Sequence, residues 1–319
     1  MSKPWINVAA GLILRADGWL LLARRPEDKP WPGWWELPGG KIEAGETVAA
    51  ALARELKEEL DIDVTASTPW VTHTHEYPKN HVRLAFYRVT GWSGEPRGVE
   101  GQELTWVDPR VDLPVGPLLP ATEPPLRWLR LPDRYLVSSI GDAAGLPGFL
   151  QKLEDALSHG LKLVQFREPQ WNGQDARQGL ERVLAACRRH GARCLVNSCH
   201  PQDWRELADG VHWRARDARE QAAKARPASQ DERLVAVSAH DALDLAAARA
   251  LGADFAVLGH VLDTPSHPGQ PGMGWPRFAE LREHAGLPVF AIGGQTPATM
   301  ADALRHGAHG IAGIRYLAS

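Results

Sequence analysis

The sequence predicts an α/β protein of two units, a strand–helix–strand unit over residues 1–130 and a TIM (β/α)8 barrel over residues 133–319. Three observations predict it. A length of 319 residues suits two domains better than one. The stretch from Leu113 to Pro132 carries prolines at 114, 117, 120, 124, 125 and 132, which reads as a surface connection ending in a short helix, Glu123–Leu129. Beyond it, short aliphatic runs alternate with amphipathic segments, as a parallel barrel requires.

The elements follow in order. Asn7–Leu14 and Trp19–Arg25 flank Arg15-Ala-Asp-Gly18, which predicts a hairpin. Thr47–Leu60 has aliphatics at Val48, Leu52, Leu56 and Leu60, a helical repeat. Strands are expected at Trp70–Tyr77, His81–Trp92 and Glu103–Trp106. Barrel strands are expected at Tyr135–Ser139, Lys162–Arg167, Cys194–Ser198, Gly210–Trp213, Leu234–Ser238, Phe255–Gly259, Pro288–Ile292 and Gly310–Ile314. Helices are expected at Pro147–His159, Asp175–His190, Asp241–Leu251 and Trp275–His284.

Composition narrows the class. Hydrophobic content of 44% and charged content of 24% are ordinary for a soluble globular chain. A net charge of -3 argues against a nucleic-acid polymer as partner and leaves room for a small nucleotide held through a metal. No apolar run approaches a membrane span, and the start reads as a strand, so no membrane partner is expected. Cys187, Cys194 and Cys199 lack metal-site spacing and are expected as free buried thiols in a reducing compartment, the cytoplasm. Oligomeric state is not legible.

The most informative segment is Gly40–Ile62, GKIEAGETVAAALARELKEELDI. Glu55, Glu58 and Glu59 stand at i, i+3 and i+4, so a helix projects their carboxylates from one face. Three carboxylates so placed repel one another unless a cation lies among them, and oxygen-only ligation suits Mg²⁺ or Mn²⁺. An isolated E-x-x-E-E is ordinarily a solvated helix face. Here Gly40, Glu46 and Arg54 stand in fixed register with it, and Arg54 is placed to orient a carboxylate. Gly39 and Gly40 allow backbone to approach a ligand. Asp61 ends the helix where a left-handed residue is expected, and Asp is among the few that adopt that conformation.

These residues match G-x5-E-x7-R-E-U-x-E-E-x-G-U, with U aliphatic, at all specified positions except Asp61, which stands for Gly. Such a match arises by chance far less than about once in a million windows. The segment therefore resembles the box of the Nudix hydrolases, and the strand order fits their α/β/α sandwich. Leu22-Ala-Arg-Arg25, Glu36-Leu-Pro-Gly-Gly40, Glu76-Tyr-Pro, Gly94-Glu-Pro96 and Glu100-Gly-Gln102 extend the resemblance over residues 5–129 to the MutT type, which removes nucleotides such as 8-oxo-dGTP. That resemblance implies a Mg²⁺ site made by Glu55, Glu58, Glu59, Glu100 and the Gly39 carbonyl. It implies catalytic roles for Glu55, Glu58 and Glu100. It implies nucleotide contacts at Arg25, Leu37, Pro38, Gly39 and Thr122. Thr122 stands where the family has an asparagine, Pro30 replaces a histidine and Leu37 a phenylalanine. One hydroxyl offers less than an amide's donor and acceptor, so selection for the oxidised base is expected to relax.

The second unit resembles the thiamin phosphate synthase/TenI family along its whole length. The segments are Gln165-Phe-Arg167-Glu, Leu195-Val-Asn197, Asp209-Gly-Val-His212, Val237-Ser-Ala-His240, Gly259-His-Val261, Ala291-Ile-Gly-Gly294 and Gly307-Ala-His-Gly-Ile-Ala312. The resemblance implies a phosphate or ligand site of Gln165, Arg167, Asn197, Gly293, Gly294, Ala312 and Gly313, with a thiamin-related phosphate as ligand. Pro169 and His267 replace lysines and Ser198 replaces a magnesium-binding aspartate, which argues against the synthase reaction. Gly259-His260-Val261 is similar to TenI, a thiazole phosphate tautomerase, and implies a catalytic His260. Two alternatives stay open: a hydrolase acting on thiamin-pathway pyrophosphates beside a tautomerase, and a barrel that senses a ligand without catalysis.

Overall fold

In the computed structural model, residues 3–224 and 233–315 are described. The chain divides into two compact units, Met1–Leu131 and Pro132–Ser319.

The first unit contains β1 (Trp5–Ile13), β2 (Leu20–Arg24), β3 (Trp35–Glu36), β4 (Gly39–Lys41), α1 (Val48–Leu60), β5 (Asp63–Glu76), β6 (His81–Ser93), β7 (Leu104–Val107) and α2 (Glu123–Trp128). One sheet runs β4-β1-β6-β5 and a second runs β3-β2-β7. The two faces of β1 are read directly from alternation. Ala9 and Ile13 pack with Ala51, Leu52, Leu56 and Leu60 of α1. Ala10 and Leu12 point the other way, into a core with Trp70, Phe86, Leu126 and Trp128. Helices on both faces make the α/β/α sandwich. Each fully buried leucine of α1 contributes roughly 1.5–3 kcal/mol, which fixes that helix and the glutamates it carries.

The hairpin expectation is corrected. The turn forms, with Arg15 N–H donating to Trp19 O at 3.0 Å, but only Leu14 and Leu20 pair across it. β1 is occupied along one edge by parallel β6 and on the other by β4, so β2 leaves for the second sheet. Strand β5 begins seven residues earlier than expected. Its first half contains Pro69 and register shifts between Val64 and Val71, features an edge strand tolerates. β3 and β4, too short to read in the sequence, bring the Gly39-Gly40 pair against β1.

The second unit contains β8 (Arg134–Val137), α3 (Leu146–Ser158), β9 (Leu163–Phe166), α4 (Gly173–Arg189), β10 (Arg193–Asn197), α5 (Gln202–Glu206), β11 (Gly210–Trp213), α6 (Ala215–Ala223), β12 (Leu234–Ala239), α7 (Ala242–Ala250), β13 (Phe255–Gly259), α8 (Gly274–Glu283), β14 (Val289–Ile292), α9 (Met300–Arg305) and β15 (Gly310–Gly313). Its strands close into an eight-stranded parallel barrel, β15 pairing with β8. Ala176, Leu180, Val183, Leu184 and Cys187 of α4 are buried at helical spacing, so that helix covers the barrel wall. Inside, the Tyr135 ring meets Phe255 edge-on at 5.3 Å and lies 6.0 Å from Phe290. The barrel is therefore a filled core whose ligand space is confined to its mouth. Cys187 and Cys194 are buried and unpaired, whereas Cys199 is free but only partly buried, which corrects the expectation for it. Among the described residues, no helix is long and apolar enough to cross a membrane.

Candidate active sites

The acidic site is built on α1. Thr47 caps the helix, its hydroxyl accepting from Ala50 N–H at 3.2 Å. Asp61 closes it in the left-handed conformation, φ 56° and ψ 34°, donating its N–H to Lys57 O. Between the caps, Arg54 organises the carboxylates. It donates to Glu55 at 2.9 Å, Glu58 at 3.3 Å, both Glu46 oxygens at 2.9 Å and the Lys41 carbonyl at 3.1 Å. The Arg54 contact, aided by a bond from Glu43 N–H, holds the Glu46 carboxyl down near about 2. Glu55 and Glu59 are largely covered, with side chains 15% and 19% exposed, while Glu58 at 60% faces solvent.

The glycine pair makes room for this arrangement. A Cβ on Gly40 would stand 2.2 Å from Glu55 Oε2. One on Gly39, at φ 138°, would stand 2.2 Å from the Ala9 carbonyl. Gly39 N–H donates to Glu59 Oε2 at 3.1 Å. Burial nevertheless raises the Glu59 carboxyl to about 7, because its charge is desolvated.

A second arm comes from the loop before β7. Arg97 N–H bonds Leu60 O, Val99 N–H bonds Glu59 O, and the buried Gln102 bridges Glu59 O at 2.8 Å and Glu100 N–H at 2.8 Å. These bonds set Glu100 beside the end of α1. There Lys29 contacts the Glu100 carboxylate and lies 3.9 Å from Glu59. Burial works to lower the Lys29 pKa, but the Glu100 contact and the Glu59 charge outweigh it and raise it.

The expected gathering of carboxylates is thus modified. Glu55 and Glu58 are drawn toward Arg54, and Glu59 and Glu100 toward Lys29. Among the described residues, no three acidic, histidine or cysteine side chains form a preformed metal cluster. The donor set itself fits a hard dication. It is all oxygen, and it includes the Glu59 carboxylate, costly to ionise where it stands, which a dication displacing Lys29 would stabilise.

The expected nucleotide residues surround this site unevenly. Arg25 is engaged, donating to both Glu36 oxygens at 2.6 and 2.5 Å and to Pro30 O at 2.6 Å. Burial raises the Glu36 carboxyl against the pull of Arg25. The Leu37 side chain is buried in the core with Trp35 and Trp70 and is not presented to a ligand. Pro38 is buried and its carbonyl accepts from Gly11 N–H at 2.8 Å. Thr122 is buried at the start of α2. Lys29 also stands beside the carboxylates, and no spacing rule marks it because loop closure brings it in.

The barrel site is a cavity of about 400 Å³ at the carboxyl ends of the strands. Gln165, Arg167 and His260 line it, as do Gly293, Gly294, Ala312 and Gly313. Arg167 pairs with no described carboxylate, leaving its charge to the cavity. A Cβ on Gly293 would stand 2.3 Å from that of His260, so the absent side chain lets the two loops meet. Asn197 does not line the cavity. It is buried behind it, donating to Gln165 Oε1 at 2.8 Å and accepting from Cys199 N–H.

Sequence reading singled out neither Tyr135 nor Ser238, which complete a buried chain here. The Gln165 amide and the Tyr135 hydroxyl both approach His212 Nδ1, at 3.1 and 3.0 Å. His212 Nε2 in turn lies 2.8 Å from Ser238 Oγ. Burial, helped by the Arg167 charge, drives His212 down to about 3, so this ring is neutral. His260 is stacked on His267 at 4.4 Å. The family's magnesium position does not fit a cation. Asp217 is bonded by Ser198 Oγ at 2.5 Å, Arg214 Nε at 2.6 Å and Arg216 Nε at 3.4 Å. Its charge is already spent on guanidinium groups.

Comparison with known proteins agrees with this division. The family model described as NUDIX domain matches residues 5–129, and that described as thiamine monophosphate synthase matches residues 135–317. An 8-oxo-dGTP diphosphatase of Proteus vulgaris is 43% identical over 95 residues, 30% of this chain and 85% of the relative. A CTP pyrophosphohydrolase of Escherichia coli (strain K12) is 39% identical over 119 residues, 37% of this chain and 87% of the relative. A putative thiamine-phosphate synthase of Geobacter sulfurreducens is 38% identical over 183 residues, 56% of this chain and 83% of the relative.

Proposed function

Because the chain belongs to the Nudix hydrolases over its first unit and to the thiamine monophosphate synthase family over its second, we propose that it is a Mg²⁺-dependent nucleoside triphosphate pyrophosphohydrolase carrying a phosphate-ligand barrel. 8-oxo-dGTP is the leading substrate, and nucleoside monophosphate and pyrophosphate are the products. The observation that carries the reading is the arrangement of Glu55, Glu58, Glu59 and Glu100 around Arg54 and Lys29 beside the Gly39-Gly40 bend.

Glu55, Glu58, Glu59, Glu100 and the Gly39 carbonyl would hold Mg²⁺ or Mn²⁺. A divalent ion there supplies charge neutralisation and a more acidic water. Arg54 keeps Glu55 oriented and ties it to the Glu46 turn. Glu55, Glu58 or Glu100 takes the proton of the attacking water, and attack falls on the β-phosphorus. Lys29 is placed to meet the negative charge of the leaving group once Glu100 turns to its task. Glu58→Gln tests this. Glu58 is exposed, so the fold should keep its melting temperature while Mg²⁺-dependent turnover falls at least about 10²-fold. Unchanged turnover removes Glu58 from the site.

For the barrel, His260 in the 400 Å³ cavity supports thiazole phosphate tautomerisation, with the imidazole moving the proton. The charge-satisfied Asp217 speaks against a metal-dependent synthase reaction there. Robust turnover lost in His260→Ala favours the catalytic barrel, and binding without turnover favours a sensor. A hydrolase acting on thiamin-pathway pyrophosphates would show preference for those over 8-oxo-dGTP in a pyrophosphate-release assay. Three unpaired cysteines support action in the cytoplasm.

A further inference from the structure

Trp31 is held in a conformation its side chain disfavours. Its φ is 63°, and Asp61 is the only other non-glycine residue among the described ones at positive φ. A bulky residue there is a steric outlier, and such strain persists only where surrounding bonds over-determine it. The bonds are present. Arg25 N–H bonds Trp34 O at 2.9 Å, Gly33 N–H bonds Arg25 O at 2.9 Å, and Arg25 Nε bonds Pro30 O at 2.6 Å.

The strained turn keeps an indole in water. Trp31 is 39% exposed, although Trp35 four residues later is fully taken into the core. The indole meets Trp34 edge-on at 4.9 Å and lies 6.3 Å from the Tyr77 ring. Its position relative to the acidic site is set from both sides. Lys29, two residues earlier in the same turn, contacts Glu100. Tyr77, on the other side, is fixed by its own N–H, which donates to Asn80 O at 2.9 Å. The ring therefore belongs to the turn that carries Lys29 to Glu100, and it packs on the Tyr77 side of that turn.

We propose that Trp31 is the stacking platform for the nucleobase, so that this hydrolase binds nucleotides through ring overlap that any base supplies rather than through hydrogen bonds to one base edge. The substrate class is then broad, purine and pyrimidine triphosphates alike. This inference rests on the hydrolase reading above. Thr122 offers a single buried hydroxyl for edge reading, and stacking is indifferent to the edge because every base has a π face.

The test uses the full chain as wild type, Trp31→Phe, Trp31→Ala and Trp31→Gly, the glycine variant keeping the left-handed backbone without strain. Steady-state kinetics are measured with 8-oxo-dGTP, dGTP, dCTP and methyl triphosphate, which has no base. Trp31→Ala and Trp31→Gly should raise KM about tenfold or more for all three nucleotides, with the loss carried in KM rather than kcat. Trp31→Phe should recover most of it, and methyl triphosphate should show a much smaller change. A wild-type KM in both small-residue variants overturns the proposal. So does a rise confined to one base, or an equal rise for methyl triphosphate. If the wild type turns over no triphosphate, the hydrolase reading fails instead. Equilibrium binding of imido-linked nucleotide analogues to the same variants then decides Trp31 on the same criteria.

Discussion

Replacing Gly40 with alanine should cut hydrolysis while sparing the fold, whereas replacing its neighbour Gly39 should destabilise the fold itself. An added Cβ at Gly40 would meet Glu55 Oε2, Cδ and Oε1 at 2.2, 2.3 and 2.5 Å. Ordinary carbon–oxygen contacts need roughly 3.3 Å or more, so the carboxylate must retreat by about 1 Å. What moves is the end of a flexible side chain, and Gly40 is not at positive φ, so the cost to stability should stay below about 1 kcal/mol. A displacement of about 1 Å in a catalytic group costs on the order of 10²-fold in rate. At Gly39 the added atom would meet the Ala9 carbonyl at 2.2 Å and Ala10 Cα at 2.9 Å, both backbone, at φ 138°. The β1–β4 pairing must give way, costing roughly 3 kcal/mol or more. The assay is kcat/KM for a nucleoside triphosphate with Mg²⁺, paired with urea denaturation of both variants. Gly40→Ala at wild-type kcat/KM would refute the placement of Glu55 in the reaction. Gly40→Ala as unstable as Gly39→Ala would refute the claim that the clash is confined to a side chain.

At the helix end, Asp61→Ala should lower stability more than Asp61→Gly, because both forfeit the pairs with Lys57 and Arg97 but only alanine strains the left-handed cap. Denaturation midpoints check this, and equal losses in both variants would rule out the cap as the cause. The barrel should be acid-labile. His212 and His200 are pushed by burial and by Arg167 to about 3 and about 4, so the folded state binds fewer protons than the unfolded state below the ordinary value of 6.5. Their contribution is complete above pH 6.5 and falls as pH drops, by about 1.4 kcal/mol per unit for each ring between pH 6 and 5. Urea midpoints of the barrel transition measure it. His200→Phe, which keeps the stack on Trp204, should show about half the slope, and a flat profile in the wild type would contradict the buried neutral rings.

The reach of sequence reading differs between elements for identifiable reasons. Helix α1 was legible with its caps because its aliphatics, its glutamates and Asp61 all obey one local period. Barrel strands were placed within two residues because each is a buried aliphatic run between helices. The separation of β1 from β2 was not legible, since it depends on β4 and β6 occupying β1 first. Nor was the compensation of charge. Arg54 lies in the motif, but Lys29 reaches Glu100 from 71 residues away, and Arg214 satisfies Asp217 in a position where the family pattern suggests a metal.

By itself, then, the sequence determined two α/β units, the helix face that carries the carboxylates and the barrel strands that end at the ligand cavity. Those properties repeat within a turn or a strand, and the side chains that create them are near neighbours in the chain. The tertiary structure alone decided which cation meets which carboxylate, that Asn197 stands behind the cavity, and that Trp31 stays in water. Each of these depends on loop closure between residues far apart in sequence, where the free energy lies in the pairing and no local period records it.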